Sequence, residues 1–236
     1  NNLPTRAIIW DCDGVLIDSE TLACSAAADV LTENGHPIGL EDYLARFMGK
    51  GLKQILAEID VNTGLNLSET FPAERLRERQ KELFDAHLKP TNGIHDTLTH
   101  LGHLSHAVAS GSERDRLHHT LSLTQLQPLF KGHIYSAEMV AKGKPAPDIF
   151  LLAAEKLGVT PENCLVVEDS PHGIKAAHAA GMRVVAFAGN SHLTPALVQK
   201  LIDEKPLTVL HHMQEIITFV NGDNTPCPSS PPPKPF

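Results

Sequence analysis

The chain has 236 residues, 20 basic and 28 acidic side chains, and a formal net charge of −8. A mildly acidic chain lacks the basic patches that coat nucleic acid or anionic membrane, so neither is a predicted partner. The hydrophobic fraction of 42% is typical of a globular chain, and no apolar run approaches the roughly 18 residues of a membrane span.

The first element predicted along the chain is a buried strand, Ala7–Trp10, whose apolar run stops at Asp11. Continuous apolar runs of this length are typical of strands covered on both faces of a parallel sheet. No convincing strand follows until residue 90, and the predicted helices there are Thr21–Asn34, Leu40–Met48, Leu52–Asp60 and Pro72–Leu88. We therefore predict an inserted all-helical cap, residues 19–90, with the turn-rich segment Lys89–Gly93 as its return hinge.

Strands and helices alternate after the cap. The predicted strands are Ala107–Ala109, Cys164–Val167 and Val184–Phe187, and the predicted helices are Ile94–Leu104, Asp115–Leu123, Asp148–Leu157 and His172–Ala180. This alternation predicts an α/β fold with a parallel sheet, built from residues 1–18 and 91–220. The proline-rich segment 221–236 is predicted to be a disordered or extended tail.

Cysteine and histidine spacings indicate neither a disulfide framework nor a histidine metal site. The four cysteines are Cys12, Cys24, Cys164 and Cys227, and none belongs to a C-x-x-C pair. We predict free thiols in a reducing compartment, and hence a cytoplasmic location. His100, His103 and His106 are interpreted as surface residues, because Gly102 interrupts the helical face they would need to share.

Two carboxylates, Asp11 and Asp13, stand two residues apart where the first predicted strand ends. In open α/β sheets, ligands bind outside the carboxyl ends of the strands. Gly14 lets the chain turn, so one carboxylate is able to act as a nucleophile while the other donates a proton. Taken alone, the pattern is equally compatible with two solvated loop acids.

Three further features lie at strand ends or just past one. Ser110-Gly111-Ser112 offers hydroxyl and backbone N–H donors to an anion. Lys144 is followed in its loop by Pro145 and Pro147, which stiffen the backbone next to it. Glu168 and Asp169 are adjacent acids after a buried strand, where they are costly unless they bind a cation or cap the next helix. Together with the first motif, these features predict an acidic, cation-compatible phosphate site.

With these residues in this order, the chain resembles the haloacid-dehalogenase-like (HAD) hydrolase superfamily, in the branch with a helical cap after the first motif. The resemblance covers about residues 6–220 and includes Asp11–Glu20, Ser110, Lys144 and Glu168-Asp169. The pattern is most similar to the β-phosphoglucomutase-like sugar-phosphate phosphatases. It implies a Rossmann-like core and a Mg²⁺-dependent phosphatase of small phosphorylated metabolites, with sugar or polyol phosphates as the favoured substrates. We also predict that the protein is a monomer.

The resemblance also implies a role for each core residue. Asp11 is the nucleophile that forms an aspartyl-phosphate, and Asp13 protonates the leaving alcohol and later deprotonates water. Ser110 and Lys144 hold the phosphoryl oxygens, where negative charge must be stabilised. The implied magnesium ligands are Asp11, Glu168, Asp169 and the backbone carbonyl of Asp13.

Substrate contacts are predicted in the phosphate-binding turn and in the cap. The candidates are Gly111, Ser112, Glu20 and Lys50. Glu20 either contacts substrate hydroxyls or caps the first cap helix, and Lys50 either binds substrate or is a solvated loop charge. Cap closure would exclude bulk water and select the substrate.

Two departures separate the chain from the mutases of this branch. Those enzymes usually carry a histidine in the first cap helix and an arginine in the cap loop, where this chain has Ala23 and the segment Gly49–Lys53. A phosphatase is therefore favoured, with a phosphomutase or a non-catalytic binding protein on the same fold as alternatives. Asp13 argues against dehalogenation, because haloalkanoate dehalogenases lack this acid.

Overall fold

The structure is a computed structural model in which residues 4–190 and 193–222 are described. Its strands are β1 (Ala7–Trp10), β2 (Ser105–Ser110), β3 (Ile134–Ser136), β4 (Cys164–Glu168), β5 (Arg183–Phe187) and β6 (Val209–Leu210). They form one parallel sheet with the spatial order β3-β2-β1-β4-β5-β6. The predicted α/β fold with a parallel sheet is confirmed.

A helical region follows β1. Its helices are α1 (Glu20–Glu33), α2 (Leu40–Phe47), α3 (Leu52–Thr63), α4 (Leu67–Thr70) and α5 (Ala73–His87). They pack around an apolar core of their own, in which Val30, Phe47 and Ile59 are each 1% exposed or less. This separate core supports the cap over residues 19–90, although the bounds themselves stay a prediction.

The remaining helices cover the two faces of the sheet. They are α6 (Ile94–His100), α7 (Arg114–Leu123), α8 (Asp148–Leu157), α9 (Pro171–Ala179), α10 (Pro195–Asp203) and α11 (Gln214–Val220). Successive side chains of a strand point to opposite faces, and in β1 the residues Ile8 and Trp10 join one apolar cluster while Ala7 and Ile9 join the other. All four are fully buried, which explains why the run is apolar without alternation.

The cap is joined to the core through two chain segments that lie side by side. The backbone N–H of Asp18 donates to the carbonyl of Lys89 at 3.1 Å, and that of Thr91 donates to the carbonyl of Leu16 at 2.9 Å. The return segment is the turn-rich stretch that the sequence predicts as a hinge. The chain therefore enters and leaves the cap at neighbouring points.

His106 is half-buried and hydrogen-bonded through both ring nitrogens, whereas its spacing suggested a surface residue. The indole Nε1 of the buried Trp10 donates to His106 Nδ1 at 3.1 Å, and His106 Nε2 pairs with the carbonyl oxygen of Leu101 at 2.9 Å. A buried indole N–H needs an acceptor, and the neighbouring strand β2 supplies this imidazole. Burial lowers the pKa of His106, because the charged form is disfavoured.

The cysteines within the described residues are free, as the sequence predicts. Cys12, Cys24 and Cys164 are buried and free. Cys227 and residues 223–236 of the predicted tail lie outside the described residues. Among the described helices, none combines the length and apolar character that a bilayer span requires.

Candidate active site

The three central strands end at one edge of the sheet and bring the predicted chemical groups together there. Trp10 of β1 is in register with Val108 of β2 on one side and Val167 of β4 on the other. The next residue, Asp11, is therefore level with the ends of both neighbours, where Ser110 and Glu168 stand. The strand order changes direction across β1, and this is the position at which open α/β sheets bind ligands.

Lys144 links the carboxylates on β1 and β4. Its Nζ donates to Asp11 Oδ1 at 2.8 Å, to Glu168 Oε1 at 2.5 Å and to the carbonyl of Ala109 at 3.0 Å. Burial by itself would lower the pKa of this ammonium, but Asp11 and Glu168 outweigh burial and raise it. Lys144 is therefore a fixed positive charge beside Asp11.

Three carboxylates converge at the same point. One oxygen from each of Asp11, Glu168 and Asp169 lies within 4.8 Å of the others. Burial, and then repulsion from Glu168 and further acids, raises the pKa of both Asp11 and Asp169. The group could hold a metal ion, since a cation relieves that repulsion and carboxylate oxygens suit Mg²⁺. The carboxylate of Asp13 is not in the group, and ligation by its carbonyl stays a prediction.

Glu168 is held more firmly than the other two acids. Its Oε2 accepts hydrogen bonds from the backbone N–H of Asp169, the backbone N–H of Ser170 and the Ser170 hydroxyl, at 3.0–3.1 Å. The first turn of α9 also approaches closely, because a Cβ at Gly173 would lie 1.9 Å from Glu168 Cδ. Only a glycine fits at position 173, and the sequence analysis did not single this residue out.

Asp13 accepts three side-chain hydrogen bonds. Its Oδ1 accepts from Ser19 Oγ at 2.7 Å and Arg116 Nη2 at 3.0 Å, and its Oδ2 accepts from Ser112 Oγ at 2.6 Å. Burial would raise the pKa of Asp13, but the Arg116 charge and the hydroxyl donors outweigh it and lower the pKa. These contacts favour the ionised form of Asp13, the predicted acid and base. Arg116, on α7, is a second residue that the sequence analysis missed.

The turn after β2 is folded around Ser110. The buried Ser110 Oγ accepts from the backbone N–H of Ser112 at 3.0 Å. Ser136, at the end of β3, donates from its hydroxyl to the Ser112 carbonyl at 2.7 Å. The Ser112 hydroxyl contacts Asp13, so its predicted role toward substrate stays a prediction. Ser136 supports the turn from a strand that sequence patterns do not reveal.

A cleft of about 530 Å³ opens above these residues. Glu20, Met48 and Gly49 of the cap line it, and Gly111 lies at its floor. Lys50 does not line the cleft, because its Nζ pairs with Glu58 at 2.6 Å inside the cap. Substrate binding by Lys50 and Glu20 stays a prediction, and in this structure the cap loop meets the cleft through Met48 and Gly49.

A third wall of the cleft comes from α10, which the sequence analysis did not predict. Leu197 and Lys200 line it from the core side, opposite the cap. A Cβ on Gly49 would lie 3.0 Å from Leu197 Cδ2, so the cap loop and α10 nearly touch. The cleft is therefore bounded by the acidic floor at the strand ends, the cap loop and α10.

The fold and the site define a hydrolase of a known family. The family model for haloacid dehalogenase-like hydrolases matches residues 8–187, so the chain belongs to this family. A solved structure of a conserved haloacid dehalogenase-like protein from Agrobacterium tumefaciens matches with a TM-score of 0.83 and 37% identity, over 94% of this chain and 100% of that one. The Rossmann-like core is confirmed.

Two curated relatives show how the similarity is distributed. Protein SUPPRESSOR OF QUENCHING 1, chloroplastic, from Arabidopsis thaliana is 36% identical over 188 residues, which are 76% of this chain, but the chain spans 17% of that protein's length. A phosphorylated carbohydrates phosphatase from Thermotoga maritima is 30% identical over 221 residues, 90% of this chain and 100% of that protein. The predicted enzyme class, a phosphoric monoester hydrolase of the HAD type, is confirmed.

Proposed function

We propose that this protein is a Mg²⁺-dependent phosphatase of small phosphorylated metabolites, and of sugar or polyol phosphates in particular. The observation that carries the proposal is the pairing of Asp11 with Lys144 beside two further carboxylates, with Asp13 within the same cleft. A cleft covered by a cap suits a small substrate. The Thermotoga maritima relative, which is named for phosphorylated carbohydrates, supports the substrate class.

The first half of the proposed reaction transfers the phosphoryl group to the protein. A carboxylate oxygen of Asp11 attacks phosphorus, and the bond between phosphorus and the ester oxygen breaks. Asp13, in its protonated form, gives its proton to the departing alkoxide, so the alcohol leaves neutral. Lys144 and the Ser110 turn hold the phosphoryl oxygens, because charge must be stabilised there in the transition state.

The second half returns Asp11 to its starting state. The Asp13 carboxylate takes a proton from water, and the water oxygen attacks phosphorus. The bond between phosphorus and Asp11 breaks, and inorganic phosphate leaves. Asp13 is protonated again and is ready for the next ester. The lowered pKa of Asp13 favours the ionised form that this half requires.

Asp11 and Asp169 are the residues that we propose hold Mg²⁺, with Glu168 beside them. A bound divalent cation supplies positive charge that lowers the repulsion between the phosphate dianion and the attacking carboxylate. Glu168 Oε1 pairs with Lys144 and its Oε2 accepts three hydrogen bonds, so we assign Glu168 mainly to holding Lys144 and the turn that carries Asp169.

The test is phosphate release from a panel of sugar, polyol and glycolate phosphates, with Mg²⁺ and with chelator. Release that needs Mg²⁺ and is concentrated on a few compounds is the expected result. Conversion of β-glucose 1-phosphate to an isomer would instead indicate a phosphomutase. Retained binding of the esters without release or isomerisation would indicate a non-catalytic protein on the same fold.

A further inference from the structure

Arg116 has contacts that the proposed reaction does not use. From the first turns of α7 its Nη2 donates to Asp13 Oδ1 at 3.0 Å, while its Nη1 donates to Gln80 Oε1 of the cap helix α5 at 3.4 Å. Its Cζ lies 5.1 Å from the centre of the Phe84 ring, which also belongs to α5. One side chain therefore touches both the predicted acid and the cap.

The cap helix fixes the plane in which this guanidinium lies. Phe84 is buried in the cap, so its ring is a firm surface for the cation to lie against. The Nε of Arg116 is buried and has no hydrogen-bond partner within the described residues. The two Nη groups, held by α5 on one side and Asp13 on the other, thus determine where the charge points.

Helices α5 and α7 do not pack closely around this contact. A cavity of about 570 Å³ lies between them and reaches the Ser110 turn at Gly111 and Ser112. His119, one turn along α7 from Arg116, bridges the same gap to Asp85 of α5 at 2.5 Å. Arg116 and His119 both reach from α7 to α5 along this cavity, and of the two only Arg116 also contacts Asp13.

We propose that Arg116 is a positioning residue that orients the carboxylate of Asp13, and that the position of cap helix α5 governs this orientation. With α5 in place, Asp13 Oδ1 faces Arg116 and Ser19 while Oδ2 faces Ser112. A cap movement that takes Gln80 and Phe84 away leaves the Arg116 guanidinium without support. Asp13 then loses the hydrogen bond from Arg116, one of its three donors. Cap position is therefore coupled to the geometry of proton transfer. The inference rests on the proposed phosphatase function.

The test compares four variants in turnover of a sugar phosphate and of nitrophenyl phosphate. Arg116→Met is expected to lower kcat on the sugar phosphate about 10-fold with KM changed less than about 2-fold, and to lower kcat on nitrophenyl phosphate much less. The expected losses on the two esters differ because a departing sugar alkoxide needs a proton from Asp13, whereas nitrophenolate leaves without one. Arg116→Lys is expected to restore most of the loss, since an ammonium also donates to Asp13.

Two variants at contacts between the cap and α7 distinguish orientation of Asp13 by Arg116 from a role in only holding the cap against the core. Gln80→Ala is expected to lower kcat on the sugar phosphate about 2-fold to 3-fold, in the same direction as Arg116→Met. His119→Ala removes the contact with Asp85 without touching Asp13, and it is expected to leave kcat unchanged because Gln80 and Phe84 still hold the guanidinium. Equal losses on both esters in Arg116→Met, or an equal loss in His119→Ala, would overturn the inference.

A structural measurement keeps this inference separate from the proposed function. Crystal structures of the wild type and of Arg116→Met are expected to show the Asp13 carboxylate turned away from Ser19 or Ser112 in the variant. An unchanged Asp13 would overturn the inference whether or not the protein turns over any ester. Absence of turnover in the wild type would count against the phosphatase instead.

Discussion

Charged pairs occur both on the floor of the cleft and on the solvent-exposed part of the cap, but they differ in depth. The side chains of Lys144, Asp11 and Glu168 are 10%, 12% and 0% exposed. In the cap helix α5, Arg77 and Glu74 form a pair at 2.6 Å whose side chains are 53% and 73% exposed. Buried charges interact strongly and have no solvent to replace a lost partner, whereas exposed pairs are screened.

This difference separates the reaction from the choice of substrate. The floor consists of groups that fix one another, so each of them tolerates little change. The cap carries solvent-exposed pairs such as Arg77 with Glu74, and a loop that meets the cleft through Met48 and Gly49. We infer that the floor sets the chemistry and that the cap is free to vary with the ester. Four changes test this contrast, in order of decreasing effect.

The largest effect is expected for Asp11→Asn. The amide cannot form the aspartyl-phosphate, so kcat should fall by at least about 10³-fold while the fold is kept. Phosphate release and circular dichroism measure the two parts. Asp42→Asn, the same change at an exposed site on α2, is the control. Turnover near the wild-type rate would contradict the assignment of Asp11 as nucleophile.

A smaller but substantial effect is expected for Gly173→Ala. The new methyl group meets the buried Glu168 carboxylate, which is held by Lys144 and cannot move freely. We expect a loss of about 1–3 kcal/mol of unfolding free energy, as for other overpacked sites, together with reduced kcat as Lys144 shifts. Urea unfolding and phosphate release measure both. Gly39→Ala is the control, because a Cβ there meets nothing within 4 Å. If the two variants behave alike, Glu168 is not held as described.

A moderate effect, on stability alone, is expected at the Trp10–His106 pair beneath the site. Burial lowers the pKa of His106, so the unfolded state binds more protons and the free energy of unfolding falls as pH drops below about 6.5. His106→Gln keeps an acceptor for the indole and should reduce that slope. Urea unfolding at several pH values, followed by the fluorescence of the single tryptophan, measures it. The control is His100→Gln, at an exposed position of α6. Equal dependence of the unfolding free energy on pH in the two variants would contradict the prediction.

The smallest effect is expected for Arg77→Gln on the cap surface. The pair with Glu74 is solvated, and surface pairs of this kind contribute little. Neither the urea midpoint nor kcat should change measurably. A clear loss of kcat would show that this exposed pair affects the reaction, and the contrast between floor and cap would then be wrong.

Sequence patterns predict the strands and helices whose hydrophobic pattern extends over enough consecutive residues to be recognised. The run Ala7–Trp10 is recognisable because both faces of β1 are buried, and the long cap helices follow from their apolar spacing. Strands β3 and β6 have three and two residues, too few for any periodicity to be visible. Helices α10 and α11 were likewise not predicted, so the third wall of the cleft was unforeseen.

The site divides in the same way. Asp11, Ser110, Lys144, Glu168 and Asp169 are predictable because each follows or precedes a recognisable element in a known order. Arg116 could not be predicted, since it reaches Asp13 across 103 positions of sequence through the packing of α7 on the sheet. A contact of that kind depends on tertiary geometry, and no local pattern records it.

The paired segments at the base of the cap have a consequence for how this fold accepts inserted sequence. Leu16 with Thr91 and Asp18 with Lys89 close a loop whose two ends are already hydrogen-bonded to each other. The entropy of closing such a loop grows only with the logarithm of its length, by about 0.6 kcal/mol for each doubling. Lengthening, shortening or exchanging the inserted segment therefore costs the sheet little, and a cap from a relative grafted between these two bonds should leave the nucleophile where it is.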